Sequence, residues 1–115
     1  MVKRKTDYNV VKNENMRGGE GVVVIEHLLT PDEIYEKGRL FAKLTLEPGC
    51  SIGHHVHEGE MESYYIVCGE GELDDNGELV TVQAGDTVLT RSDEGHSIKN
   101  IGKDTLEIIA LILYK

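Results

Sequence analysis

Residues Gly49 to Gly69 read GCSIGHHVHEGEMESYYIVCG, a stretch that combines strand-like alternation with a cluster of histidines. Successive side chains of a strand point to opposite faces of its sheet. His55 and His57 therefore share one face, while His54 and Val56 point to the other. The stretch predicts a strand that presents two imidazoles side by side, which is a two-pronged metal ligand.

Two more side chains can join this pair. A turn is expected at Gly59, and Glu62 then opens an apolar segment. The same side-chain parity is shared by Tyr64, Ile66 and Cys68. His96 is distant in sequence, but the antiparallel strands expected between them can bring it close. Three imidazole nitrogens and one carboxylate oxygen can then converge on one point.

A ligand set of nitrogen and oxygen atoms without a thiolate suits a six-coordinate divalent transition-metal ion, with two positions left for water, substrate or dioxygen. A structural zinc site would be closed by cysteines. We therefore expect one ion of Mn, Fe, Zn, Ni or Co to be bound by His55, His57, Glu62 and His96. A His-x-His pair taken alone is better explained as two surface or core histidines, so the expectation depends on all four residues.

The rest of the chain has the pattern of an all-β protein. From Arg39 onward, short alternating segments are separated by turn residues, which is typical of antiparallel strands in a sandwich or barrel. Asn76-Gly77 predicts a tight hairpin turn. The final run, Leu106 to Leu113, is apolar on both faces except at Glu107, so we expect both faces to be covered, one of them by the second subunit of a homodimer.

The N-terminal part is predicted to contain a flexible arm, a strand and a short helix. Residues 1–21 are polar, and their Gly-rich end lacks the Lys and Ser/Thr of a phosphate-binding loop, so we expect a flexible arm. The β-branched run Val22 to Leu29 predicts a strand. Thr30 to Glu33 predicts the start of a helix of about two turns, which ends at Gly38. Residues 22–115 are then expected to form a single domain.

Length and composition exclude several classes of partner. A chain of 115 residues fits one domain. With 12 Lys and Arg against 21 Asp and Glu, the net charge of −9 repels nucleic acids and anionic membranes. No apolar run resembles a signal peptide or membrane span, and the cysteines Cys50 and Cys68 do not make a disulfide framework. We therefore expect a cytoplasmic protein with reduced thiols and a small-molecule ligand.

The complete spacing resembles the two sequence motifs of the cupin superfamily, over roughly residues 39–113. The first motif is matched at every step by Gly49, His55, His57, Glu62 and Gly69. The second is matched by Gly85, His96 and Asn100. Arg91 stands where the family has Pro, and Asp93 stands where it has Gly. The resemblance implies a cupin-type jelly-roll β-barrel with the metal inside and an entrance at one end.

The resemblance does not imply one reaction, because cupins include dioxygenases, decarboxylases, isomerases, epimerases and proteins that only store or bind ligands. We expect a metal-dependent enzyme of the dioxygenase, isomerase or lyase type that acts on a small hydroxy-carbonyl or carboxylate compound. An oxalate decarboxylase-like enzyme is one alternative, although Ile52 stands where that pattern has an Arg. A non-catalytic metal-dependent binding protein is the other.

Charge near the cavity entrance argues against a sugar phosphate as the ligand. The motif loops carry the acidic residues Glu58, Glu60, Asp93 and Glu94. The nearby bases are Arg91 and Lys99, either of which could turn inward to bind a carboxylate. A negative rim slows the approach of highly charged anions.

Other residues near the predicted site are candidates for either a functional or a structural role. Tyr64 is the candidate catalytic residue, as a proton donor, and Cys68 is a candidate neighbour of the metal ligands, with core packing as the alternative for both. His54 is expected at the surface or a subunit contact, and His27 is expected to be structural. Strand parity argues against a disulfide between Cys50 and Cys68.

Overall fold

The computed structural model describes residues 1–115, and it consists of ten antiparallel strands in two sheets. The strands are β1 Asn9–Glu14, β2 Val22–Leu29, β3 Gly38–Leu46, β4 Ser51–Val56, β5 Glu60–Cys68, β6 Glu70–Asp75, β7 Glu78–Gln83, β8 Thr87–Thr90, β9 Gly95–Asn100 and β10 Leu106–Tyr114. Three single turns of 3-10 helix lie at Lys5–Asp7, Met16–Gly18 and Asp32–Ile34. The predicted all-β jelly-roll class is confirmed.

The two sheets enclose the core. The larger sheet has the order β1-β2-β3-β10-β5-β8, and the smaller has the order β4-β9-β6-β7. The inward side chains of β3 and β10 are almost fully buried, whereas the residues between them are half-buried or exposed. This alternation follows from strand geometry, because every second side chain points away from the core. The cavity of interest lies between the two sheets, at the end near β4.

The position of β10 explains its apolar sequence. It lies in the middle of the larger sheet, between β3 and β5, so neither of its edges is free. Its inward residues pack in the core, and its outward residues are half-buried beside their cross-strand neighbours.

The predicted hairpin is present. Asp75 pairs with Glu78, so the loop contains only Asn76 and Gly77. Both loop residues have positive φ angles, 51° and 98°, which is the geometry that suits Asn-Gly in a two-residue hairpin. The amide of Gly77 also donates a hydrogen bond to Asp74 Oδ1 at 2.8 Å.

The flexible arm predicted for residues 1–21 differs from the structure. Asn9–Glu14 pairs along β2 as an antiparallel edge strand, and the turn Met16–Gly18 lies against β4. Nearly every side chain of β1 is exposed, so the strand has no apolar alternation to reveal it. Its order comes from main-chain hydrogen bonds to β2, which composition does not encode.

The helix predicted after Thr30 is also shorter than expected, since it is a single 3-10 turn over Asp32–Ile34. The predicted capping contacts do form. Thr30 N–H donates to Glu33 Oε1 at 2.8 Å, and Glu33 N–H donates to Thr30 Oγ1 at 3.2 Å. Tyr35 then has a φ of 57°, which ends the helical path and returns the chain to β3.

Both cysteines are free thiols. Cys50 is partly buried and packs against the core.

The chain contains no helix long and apolar enough to cross a membrane.

Candidate metal centre

The four predicted ligands come from both sheets. His55 lies on β4, His57 directly follows the end of that strand, and His96 lies on β9 directly opposite His55. Glu62 lies on β5 of the larger sheet and faces them across the interior. Because β4 and β9 are paired neighbours, residues far apart in sequence become adjacent.

The ligand atoms of these residues all lie within 4.8 Å of one another, so the group could hold a metal ion. His96 Nε2 lies 3.0 Å from His55 Nε2 and 3.1 Å from His57 Nε2. Glu62 Oε1 lies 3.0 Å from His57 Nε2 and 2.9 Å from His96 Nε2. Its distance to His55 Nε2 is longer, at 3.9 Å.

These separations fit the donor spacing around a six-coordinate ion. With bonds of about 2.1 Å, adjacent ligands lie about 3.0 Å apart in octahedral geometry and about 3.4 Å apart in tetrahedral geometry. The observed contacts of His96 to His55 and His57 match the octahedral value. The 3.9 Å between His55 and Glu62 is closer to the distance of about 4.2 Å expected for opposite ligands.

Each imidazole is oriented by a hydrogen bond at its other nitrogen. His55 Nδ1 lies 2.8 Å from the Gly53 carbonyl oxygen, and His57 Nδ1 lies 2.9 Å from Glu60 Oε1. A third contact of 2.9 Å joins His96 Nδ1 to Thr90 Oγ1. In the neutral tautomer that carries its proton on Nδ1, an imidazole presents the Nε2 lone pair that a metal ion needs. Three lone pairs aimed at one point are repulsive unless a cation lies between them, as metal-ligating histidines require.

The support of His57 continues to an arginine. The Arg39 guanidinium donates two hydrogen bonds to Glu60, from Nε at 2.8 Å and from Nη2 at 2.7 Å. Arg39 is the main cause that lowers the pKa of Glu60 to about 2, against the opposing effect of burial. Glu60 therefore stays ionised at neutral pH and accepts from His57.

Electrostatics within the cluster favour positive charge. Burial opposes ionisation of Glu62, but hydrogen bonds from His55, His57 and His96 outweigh it and hold the pKa well below its usual range. The hydrogen bond to Glu62 raises the pKa of His57, burial lowers it, and Glu60 raises it further. Two ionised carboxylates therefore surround His57, an arrangement that stabilises a cation at this place.

Three of the four converging residues line a cavity of about 220 Å³. Its polar lining residues are His27, Arg17 and Arg39, together with the ligands His55, His57 and Glu62. Tyr64 also lines it and stacks on His96 with ring centroids 5.1 Å apart. Burial, reinforced by the charge of Glu62, raises the pKa of Tyr64, so the phenol keeps its proton.

His54 points outward, as the sequence predicts, but two other residues lie elsewhere than expected. His27, for which a structural role was expected, lines the cavity. The pairing of β5 with β10 shifts register between Glu107 and Ile108, so Cys68 lies opposite the outward-facing Glu107. The Cys68 thiol contacts the Thr105 carbonyl and does not reach the four converging residues. A local irregularity of this kind reverses strand parity.

The charges around the cavity also differ from the predicted rim. Glu60 is buried and paired with Arg39, so it does not belong to an exposed acidic rim. Arg91 and Lys99 do not line the cavity, and its arginines are instead Arg39 and Arg17.

The second motif keeps its geometry despite its two departures. Asp93 has a φ of 72°, a conformation that Gly adopts freely and that Asp tolerates better than most residues. Arg91 N–H donates to Glu94 Oε1 at 3.0 Å, which closes the turn without a proline. The Glu94 carbonyl accepts a hydrogen bond from His57 N–H at 3.1 Å, so this loop also holds the backbone at His57.

Sequence reasoning missed the residues that support the ligands. Glu60 shares the strand parity of Glu62, and that parity was the available signal. Arg39 and Thr90 gave no local signal, because their partners lie on other strands.

Comparison with known proteins agrees with this geometry. The family model for the cupin domain matches residues 42–112. An oxalate-binding protein of Thermotoga maritima is 48% identical over 113 residues, which cover 98% of this chain and 93% of that protein. A crystal structure described as a predicted oxalate decarboxylase, also from Thermotoga maritima, has a TM-score of 0.96 at 47% identity and covers 100% of both chains.

A more distant structure supports the fold alone. KdgF from Halomonas sp. has a TM-score of 0.76 at 15% identity, covering 100% of this chain and 94% of its own. The family match spans more than half of the chain and contains all four converging residues. The chain therefore belongs to the cupin family.

Proposed function

We propose that the protein binds one divalent transition-metal ion through His55, His57, Glu62 and His96, and uses it to bind a small carboxylate, with oxalate as the first candidate. The observation that carries the proposal is that His96 Nε2 lies 3.0–3.1 Å from the Nε2 atoms of His55 and His57, with the Glu62 carboxylate 3.0 Å from His57 Nε2. The metal supplies a Lewis-acid centre for carboxylate oxygens.

Charge balance supports a small anionic ligand. Glu62 is the only carboxylate among the four ligands, so a divalent ion at this place keeps a net positive charge. Four protein ligands leave two positions of a six-coordinate ion, and a dicarboxylate can fill both. The 48% identical relative is described as oxalate-binding, which favours oxalate among the dicarboxylates.

The direct test is calorimetric titration of oxalate into protein with and without a loaded metal ion. We expect saturable binding that requires the metal. Binding that is unchanged after complete metal removal would exclude this function.

Decarboxylation of oxalate is a second candidate, and the cavity offers one observation for it. In this reaction the carbon–carbon bond breaks, carbon dioxide leaves, and the remaining carbon takes up a proton to give formate. Tyr64, which keeps its proton, and His27 both line the cavity and could supply that proton. Formate produced from oxalate by the wild-type protein would establish turnover. Loss of formate in Tyr64→Phe, with oxalate binding retained, would identify Tyr64 as the proton donor. Binding without any formate identifies a binding protein.

We also propose that the chain forms a homodimer through the outer face of its larger sheet. Phe41 pairs with Leu111, and Leu111 with Ser63, which faces Leu89 on the next strand. These outward side chains form a largely apolar row, and Leu89 is 41% exposed. Apolar surface of this kind on a sheet face is typical of contacts between subunits.

Sedimentation tests this proposal. Leu89→Lys should shift the mass from dimer to monomer, whereas Leu79→Lys, on the smaller sheet and 68% exposed, should leave the dimer intact. A wild-type monomer at micromolar concentration would contradict it.

A further inference from the structure

The turn between β1 and β2 forms part of the cavity wall. Met16 and Arg17, which belong to this turn, line the same cavity as His55, Glu62 and Tyr64. No other part of the first 21 residues lines it. The N-terminal hairpin therefore contributes two residues to the wall of the cavity beside the metal centre.

The backbone of this turn is held closely against the ligand strand. Ser51 N–H donates to the Glu20 carbonyl at 2.8 Å, and Glu20 N–H donates to Ser51 Oγ at 2.8 Å. A side chain at Gly53 would collide with the carbonyl oxygen of Arg17, and one at Gly19 would collide with Ser51. The two glycines let the turn approach β4 at backbone distance.

Arg17 has the left-handed conformation, with φ 55° and ψ 29°, in which a residue with a side chain is uncommon. Such strain persists only where the surrounding structure imposes it, and it is frequent at functional sites. Here it occurs at an exposed residue that lines the cavity.

The positive charge of Arg17 has no partner in the structure. The other cavity arginine, Arg39, is bound by both oxygens of Glu60. Arg17 makes no ion pair and no side-chain hydrogen bond, although the chain carries a net charge of −9. It is the one free arginine on a wall whose only carboxylate, Glu62, faces the three imidazoles.

We infer that Arg17 is a specificity-determining residue, which selects ligands that carry a second carboxylate beyond the one needed to reach the metal. The inference rests on the proposed function. A dicarboxylate bound to the metal through one oxygen of each carboxylate keeps two oxygens free, and a guanidinium fork matches such a pair. The site thereby holds a dicarboxylate at two places, although Ile52 occupies the position of the arginine in the oxalate decarboxylase pattern.

The test compares two ligands on cobalt-loaded protein by calorimetry. Oxalate carries two carboxylates, and glycolate carries one carboxylate with a hydroxyl in place of the other. Arg17→Asn removes the charge and keeps a residue that tolerates the left-handed conformation. We expect this variant to weaken oxalate binding by about tenfold or more, with a much smaller effect on glycolate and the same cobalt content.

Two further variants separate specificity from general effects. Lys12→Gln removes one positive charge from an exposed position on the same hairpin, and it should leave both dissociation constants unchanged. Arg17→Lys keeps the charge without the fork, and it should give an intermediate loss for oxalate.

Three outcomes are decisive. An equal loss for oxalate and glycolate in Arg17→Asn, or no loss for either, overturns the role of Arg17 while the proposed function stands. Failure of the cobalt-loaded wild-type protein to bind oxalate overturns the proposed function, and with it this inference.

Discussion

The two segments that carry the imidazoles hold them by different chemistry. In the β4–β5 segment, His57 contacts the Glu60 carboxylate, which is itself bound by Arg39. In the β8–β9 segment, His96 contacts the neutral hydroxyl of Thr90. The first support depends on charge, and the second depends on a buried neutral contact.

The difference follows from position. Thr90 is 0% exposed, where a neutral hydroxyl is far less costly to desolvate than a carboxylate. The Glu60 side chain retains 12% exposure, and its charge is stabilised by Arg39. An ionised acceptor draws positive charge onto His57, whereas a hydroxyl mainly fixes the orientation of His96.

Removal of a ligand itself should have the largest effect. His96→Ala takes away one of the four converging donors, so we expect metal affinity to fall by more than about 100-fold, beyond the range seen for supporting residues. Metal content after dialysis measures this loss. His54→Ala removes an outward-facing imidazole of the same cluster and should retain the metal. Full metal occupancy in His96→Ala would contradict the assignment of the ligands.

The charged support should come next. Glu60→Gln removes the anion that accepts from His57 Nδ1 and leaves Arg39 without its partner. We expect metal affinity to fall by about 10- to 100-fold, measured by competition with a chelator. Glu58→Gln removes the same charge at an exposed position two residues away and provides the control. Equal effects of the two variants would mean that only net charge matters.

The neutral support should have a smaller effect. Thr90→Val keeps the shape of the side chain but leaves His96 Nδ1 buried without its partner. We expect metal affinity to fall by about tenfold at most, with Thr87→Val on the same strand as control. If Thr90→Val weakens metal binding more than Glu60→Gln, the buried contact outweighs the charged one and the comparison is reversed.

Much of the fold follows from local patterns in the sequence. Strand alternation placed His55 and His57 on the inner face and His54 on the outer face, because side-chain parity is a property of single strands. It failed for Cys68, where a register shift that no local pattern announces reverses the parity. It also missed β1, whose order comes from pairing with β2 instead of burial.

The candidate site shows the same limit. Its ligands have a recognisable spacing, but their supports depend on contacts between strands. Arg39 precedes Glu60 by 21 residues, and Arg17 reaches the cavity only because the N-terminal hairpin docks on β4. Neither contact can be deduced without the sheet topology.

The exposed ion pair between Lys3 and Glu33 is expected to have the smallest effect of the charged contacts compared. Glu33 accepts from Lys3 Nζ at 2.7 Å and from Thr30 N–H at 2.8 Å, and these contacts, that of Lys3 first, lower the pKa of Glu33. Like Glu60, it is a carboxylate paired with a base, but solvent screens its charge. A group with a lowered pKa stabilises the fold above its unfolded value and loses that effect as the pH falls through the folded value.

Glu33→Gln should therefore lower the melting temperature slightly at neutral pH, and the difference from wild type should vanish as the pH is lowered from neutral to below the pKa of Glu33 in the folded protein. Scanning calorimetry across this range measures the change, with Glu36→Gln as control, since Glu36 makes no side-chain hydrogen bond or ion pair. The same titration on Glu60→Gln sharpens the comparison: because Arg39 holds the pKa of Glu60 to about 2, its difference from wild type should persist to lower pH than that of Glu33→Gln. If the two differences vanish together, then the Arg39 contact stabilises its carboxylate no more than the exposed Lys3 contact does.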